Sequence, residues 1–176
     1  MVRGIFLLLT SYLYSEVIFV WKKIKPFVIS IAIALGIGGL SALLTSGSMD
    51  IYSDIVQPPL APPAILFPIV WTILYTLMGI GAALVWNKKE EQPKEVQDAL
   101  IVYAVNLFMN FLWSIIFFNM RAFLFSFIWL VLLWVVILIM ILKFRKVSPA
   151  AAYIQIPYLL WVTFAGYLNL AIFLLN

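Results

Sequence analysis

Gln57 to Gly79 reads QPPLAPPAILFPIVWTILYTLMG, and this stretch decides the architecture. Five of the nine prolines fall within 58–68, and an uninterrupted apolar run follows at once. Proline fixes φ and removes a backbone donor, so Pro58, Pro59, Pro62 and Pro63 make a stiff, extended connection. The run beyond it has the length and composition of a membrane-spanning helix. A rigid connector beside an apolar helix is a lid, and a lid implies a ligand beneath it.

Working outward, the rest of the chain has the same character. It is 66% hydrophobic and 10% charged over 176 residues, more apolar surface than a soluble domain can hide. No charged residue occurs in 26–49, 55–87, 99–120, 122–142 or 147–176. Each run can cross a hydrocarbon core of about 30 Å, which takes roughly 20 helical residues. The expected fold is therefore all-α: a polytopic membrane protein, a bundle of five transmembrane helices. The expected spans are Phe27–Thr45, Pro63–Trp86, Ala99–Asn119, Phe123–Leu142 and Pro149–Leu175. Ser148-Pro149 is a helix start, and Pro157 predicts a kink inside the last span. Residues 87–98 read as a solvated linker, and Arg121 and 143–147 as tight turns.

Residues 1–25 form an apolar extension ahead of the spanning domain at 26–176. With Glu16 inside it and Lys22, Lys23 and Lys25 at its end, it reads as an interfacial or partly inserted helix, with an extra span as the alternative. No small-residue cleavage site follows its apolar core. Nine lysines and arginines, from Lys22 to Lys25, Lys88 to Lys94 and Lys143 to Lys146, fall on one face of a five-span arrangement, against Arg121 on the other. The positive-inside rule makes that basic face cytoplasmic and turns the proline-rich linker outward.

The chain contains no cysteine and no histidine. Disulfides, thiolate chemistry, the commonest metal ligand and the usual general base are thereby excluded, and no metal site is expected. The net charge of +4 sits in inter-helix loops and calls for no nucleic acid. Helical spacing aligns Phe67, Trp71, Tyr75, Met78 and Ala82 on one face of the second span. It aligns Tyr103, Asn106, Asn110, Ser114 and Phe117 on the third, and Tyr158, Trp161, Ala165 and Asn169 on the fifth. Amides are costly in lipid unless paired, so Asn106, Asn110 and Asn169 should face the interior. Trp21, Trp86 and Trp134 fit an interfacial belt. Gly36, Gly38 and Gly39 read as a close-packing surface, and Asp50 and Asp54 as solvated.

Three motifs stand in a definite order: FPIVWTILYTLMG (67–79), LFMNFLWS (107–114) and PYLLWVTFAGYLN (157–169). They resemble the tryptophan-rich sensory proteins of the TspO/MBR family, bacterial relatives of the translocator protein or peripheral benzodiazepine receptor, from about Ile31 to Asn176. The resemblance implies five helices around a pocket closed by the first linker. It implies binding of porphyrins such as protoporphyrin IX, of isoquinoline carboxamide or benzodiazepine drugs, and in some members sterols. Family pocket residues carry over to Trp71, Tyr75, Asn110 and Trp161, with Tyr52, Ser114 and Ala165 as pocket-side neighbours. No cofactor is required on this reading; the porphyrin is the ligand, and the expected role is a sensor or carrier in a bacterial plasma membrane. Lipid bilayer and porphyrin are the expected partners, and the resemblance suggests a homodimer.

The alternative is a light- and oxygen-dependent porphyrin-degrading enzyme, with Trp71 and Trp161 as its catalytic indoles. The chain also departs from the pattern. Many members carry tryptophan at the position of Leu60 and others at Ile65, glutamine at Asn106 and an acid at Trp129. No basic residue follows Lys146, so the sterol-recognition pattern of animal members is absent. An ion-coupled transporter would need intramembrane ionisable residues that the spans lack.

Overall fold

The computed structural model describes the backbone of residues 2–48 and 50–176, and side chains from residue 20 onward except 49, 52 and 53. Among these residues there are helices and no strands. α1 runs Val2–Thr45, α2 is a single turn at Ile51–Asp54, and α3 covers Leu66–Trp86. α4 covers Pro93–Ser114 and ends in a π-helical turn at Ile115–Asn119. α5 is Phe123–Val147, α6 is Pro149–Tyr153 and α7 is Ile156–Leu175. Five stretches are long and apolar enough to cross a membrane: Val20–Ser48, Leu66–Trp86, Pro93–Asn119, Phe123–Val147 and Pro149–Leu175.

The bundle is apolar outside, and its interior is a hydrophobic core into which a few polar side chains turn. Leu43, Phe108, Ile73 and Leu160 project outward, exposed, while Asn106, Asn110, Ser126, Gln155 and Asn169 are almost wholly buried. Lipid reverses the soluble pattern because hydrocarbon satisfies no donor or acceptor. With five such helices, the chain is an integral multi-pass membrane protein. α1 packs chiefly on α3, α4 on α5, and α5 on α6 and α7. One end of the bundle carries Lys22–Lys25, the α3–α4 loop and Lys143–Lys146. The other carries the 46–65 linker, the Arg121 turn and Asn176.

Several boundaries move from their sequence expectations, for local reasons. The solvated linker is shorter than 87–98, because Pro93 stands at the first position of α4, where its missing N–H costs nothing. Asp98 therefore lies on a helix and meets Lys143 at 3.0 Å. α5 continues through 143–147 instead of turning there, with Arg145 and Lys146 in its last turn, where cations suit the helix dipole. Pro157 yields a break, not a kink: α6 stops at Tyr153, and Pro157 sits in the first turn of α7. Ser148 caps α6 as expected, its Oγ accepting from Ala151 N at 3.4 Å.

α1 is one continuous helix of 44 residues through Pro26, about 66 Å long at 1.5 Å per residue. The extension at 1–25 and the first span thus share one helix. The choice between an interfacial and a spanning extension rests on side chains outside those described.

Only one glycine of the 36–39 cluster makes a close contact. A Cβ on Gly38 would collide with the Tyr75 ring, whereas Gly36 and Gly39 have nothing within 4 Å. A close α1–α3 approach of backbone to backbone lies elsewhere, at Gly79, where an added Cβ would sit 2.6 Å from Ile31 Cα. Backbone cannot yield as a side-chain tip can. Gly79→Ala is expected to cost about 1–3 kcal/mol by overpacking, and Gly36→Ala to be neutral or gain up to about 1 kcal/mol of helix propensity. Thermal unfolding of both variants in detergent checks this; equal midpoints would mean that the α1–α3 crossing gives way.

Candidate functional site

A cavity of about 460 Å³ opens among α1, α3, α4 and α7 beneath the proline-rich linker. That size falls within the roughly 300–1,000 Å³ of small-molecule pockets. Trp71 and Tyr75 line it from α3, Asn110 and Ser114 from α4, and Ala165 from α7. These five sequence candidates are thus brought together. Trp161 stands behind the wall: its ring packs edge-on against Phe67, a lining residue, at 6.1 Å and 70°. Its Nε1 is buried without a hydrogen-bond partner. Tyr52 lies on α2, and its side chain is outside those described.

Aromatic packing sets the wall. Trp71 lies 5.6 Å from Tyr75 and 6.3 Å, edge-on, from Tyr158. Asn110 Nδ2 donates to Tyr158 Oη at 2.9 Å, and Asn106 Nδ2 does so at 3.3 Å. Asn110 spends one of its two Nδ2 hydrogens on Tyr158, and its side chain lines the cavity. Asn169 Oδ1 accepts from Trp113 Nε1 at 3.3 Å and Ser126 Oγ at 3.0 Å, and its Nδ2 donates to Phe123 O at 2.9 Å. Asn169 is therefore a knot joining α4, α5 and α7.

Trp113 and Ser41 are among the wall residues that escaped the sequence reading. Trp113 lines the cavity and stacks on Phe117 at 5.4 Å and 26°. Its signal was present, three residues after Asn110 and four before Phe117, on the same helical face. Ser41 lines the cavity from α1 and is 3% exposed, its Oγ buried without a partner. Its signal is a small-residue face, Gly38, Ser41, Ala42 and Thr45, all of which border the cavity. No lining residue carries a charge. Among the described residues no cluster of acids could hold a metal ion.

The roof is pinned in place. Ala61 N donates to Pro58 O at 3.1 Å, and Leu60 has φ of 67°. This closes a type II turn with Pro59 first and Leu60 at the left-handed position. Leu60 points outward at 79% exposure, whereas Ile65 lines the cavity. Tyr167 Oη donates to Pro59 O at 2.8 Å. Asn176 holds Val56 on both sides, accepting from its N–H at 2.8 Å and donating to its carbonyl at 3.3 Å. Arg121 Nη2 meets Asp54 Oδ2 at 3.7 Å, so the two loop charges pair with each other, both more than half exposed.

A five-span helical bundle with a roofed, aromatic, uncharged cavity defines the class: a multi-pass membrane protein with a binding pocket. The model of the TspO/MBR family matches residues 27–175, and the chain belongs to that family. It is 37% identical over 160 residues to the tryptophan-rich protein TspO of Chlorobaculum tepidum, covering 88% of this chain and 98% of that protein. It is 35% identical over 118 residues to the translocator protein of Ovis aries, covering 67% and 70%. To the tryptophan-rich sensory protein of Cereibacter sphaeroides it is 31% identical over 125 residues, covering 71% and 76%. Family and relatives together support a membrane sensor or binding role.

The roof gives a direct prediction. Tyr167→Phe removes one hydrogen bond worth about 1 kcal/mol, which corresponds to roughly fivefold faster amide exchange at the linker. Hydrogen exchange at the Ala61 amide reads this. Tyr153→Phe, at the exposed opposite end of the bundle, should leave that rate unchanged.

Proposed function

We propose that the cavity binds a tetrapyrrole, protoporphyrin IX or a flat apolar molecule like it, and that the protein is a sensor or carrier of that ligand. The observation that carries this reading is the wall itself, aromatic on α3 and α4 and without a charged side chain. A flat ring would stack on Trp71 and Trp113, and its ionised groups would stay at the rim. Asn110 Oδ1 suits an N–H donor such as a pyrrole, and Ser41 Oγ supplies a further polar contact. A chain without histidine or cysteine favours the metal-free ring over haem. The names of its relatives, sensory protein and translocator, agree with either role. On this reading the basic loops face the cytoplasm and the roof faces outward across a bacterial plasma membrane.

Indoles in the wall also favour the second reading, light- and oxygen-dependent breakdown of a bound porphyrin. In this geometry Trp71 would act at the ligand face, and Trp161 through Phe67.

Titration of the purified protein with protoporphyrin IX in the dark tests the first reading. Tryptophan fluorescence is expected to fall saturably, and Trp71→Phe to weaken binding by about 2- to 10-fold, the worth of one good stack. An unchanged signal in both proteins removes the claim. Illumination of the complex in air tests the second: a discrete product, lost in Trp71→Phe/Trp161→Phe, is the expected result. The same product at the same rate from the variant would exclude catalysis by these indoles.

A further inference from the structure

Below the cavity, toward the basic end, lie polar groups that ligand binding does not use. α4 and α7 both run from the basic end to the roof, so they are parallel. Asn106 and Tyr158 meet across them, with Tyr158 Oη donating to Asn106 Oδ1 at 3.4 Å. Three residues before Asn106 on α4 stands Tyr103, and three before Tyr158, at the cap just ahead of α7, stands Gln155, each about 4.5 Å nearer the basic end. Gln155 is fully buried; its Nε2 donates to Leu77 O at 3.1 Å, and its Oε1 has no partner. Tyr103 is 7% exposed, and its hydroxyl also has no partner.

Both groups border one ring. Tyr103 packs on Phe144 at 6.2 Å, and Phe144 Cε2 and Gln155 Nε2 crowd the same face of Gly81, Phe144 Cε2 at 3.2 Å from where its Cβ would be. Phe144, Ala99 and Ala151 are fully buried. A phenol hydroxyl is a donor and a Gln Oε1 an acceptor, and neither can find water in lipid. Buried polar atoms in native proteins are paired, with internal water where protein falls short.

We propose that a buried water bridges Tyr103 and Gln155, accepting from the hydroxyl and donating to Oε1. The site is separate from the tetrapyrrole reading and stands without it. It continues the polar column that starts at Asn110 in the cavity wall, and it ends at the break between α6 and α7.

The test measures Tyr103→Phe in two backgrounds, wild type and Gln155→Met, by thermal unfolding in detergent. A shared water predicts that Tyr103→Phe lowers the wild-type midpoint by about 2–4 °C. In the Gln155→Met background the same change should cost nothing, since the acceptor is already gone; the lost Leu77 contact cancels in the comparison. A neutral or raised wild-type midpoint, or equal drops in both backgrounds, overturns the proposal. Should Gln155→Met fail to fold, water-edited NMR of the wild type decides: early transfer from water to the Gln155 side-chain amide supports the site, and its absence overturns it.

Discussion

Hydrocarbon makes no hydrogen bonds, and the placement of the side-chain amides follows from that constraint. Asn106 and Asn110 converge on Tyr158, Asn169 joins Trp113, Ser126 and Phe123, and Gln155 reaches Leu77. Each such bond contributes only about 0.6–2 kcal/mol in a membrane. The penalty for turning an amide toward lipid is larger, and that asymmetry fixes which face of α4 and α7 points inward. Once those rotations are set, Trp113 must face inward with Asn106 and Asn110, and Trp71 of α3 packs against Tyr158, which those amides hold.

An open cavity is easier to keep in such a bundle than in a soluble core. Between helices in lipid there is no hydrophobic force driving collapse; packing and polar contacts hold the walls. Gly38 lets Tyr75 lie against α1, and the small side chains of Ser41, Ala42 and Ala165 leave room that larger ones would fill. The roof must then resist falling in. Prolines stiffen it, the Pro59-Leu60 turn bends it, and Tyr167 and Asn176 fasten its backbone to the end of α7. Leu60 adopts a left-handed conformation that costs a branched side chain about 1–2 kcal/mol, so those fastenings also offset local strain.

The five spans were legible because charge-free runs of the right length mark them whatever the packing. The helix boundaries were less so, since Pro93 reads equally as a loop residue or a first helical residue and only the surrounding fold chooses. Pro157 announced a distortion but not its form. On the cavity wall, Trp71, Tyr75, Asn110, Ser114 and Ala165 share faces that helical spacing reveals. Trp113 lies on such a face too, yet it looked like part of a motif more than part of a wall. Ser41 was hidden for a different reason: Gly38, Ser41, Ala42 and Thr45 share a helical face, but a face of small residues reads as close helix packing until its neighbours are known. Trp161 illustrates the converse. Spacing puts it in line with Ala165, yet its ring is not part of the lining and packs edge-on against Phe67, which is.

The uncharged wall and the charged rim together constrain what can enter. A carboxylate inside the cavity would meet no cation and would bear the full cost of desolvation. At the roof end, Arg121 pairs with Asp54 at 3.7 Å, with both side chains more than half exposed. An exposed pair of this kind contributes about 0–1 kcal/mol, so on the tetrapyrrole reading a ligand carboxylate could replace Asp54 at little cost. A ring held by stacking within, with its acid groups left at the water boundary, is the arrangement these two facts favour. A ligand charged on every side is the one they exclude.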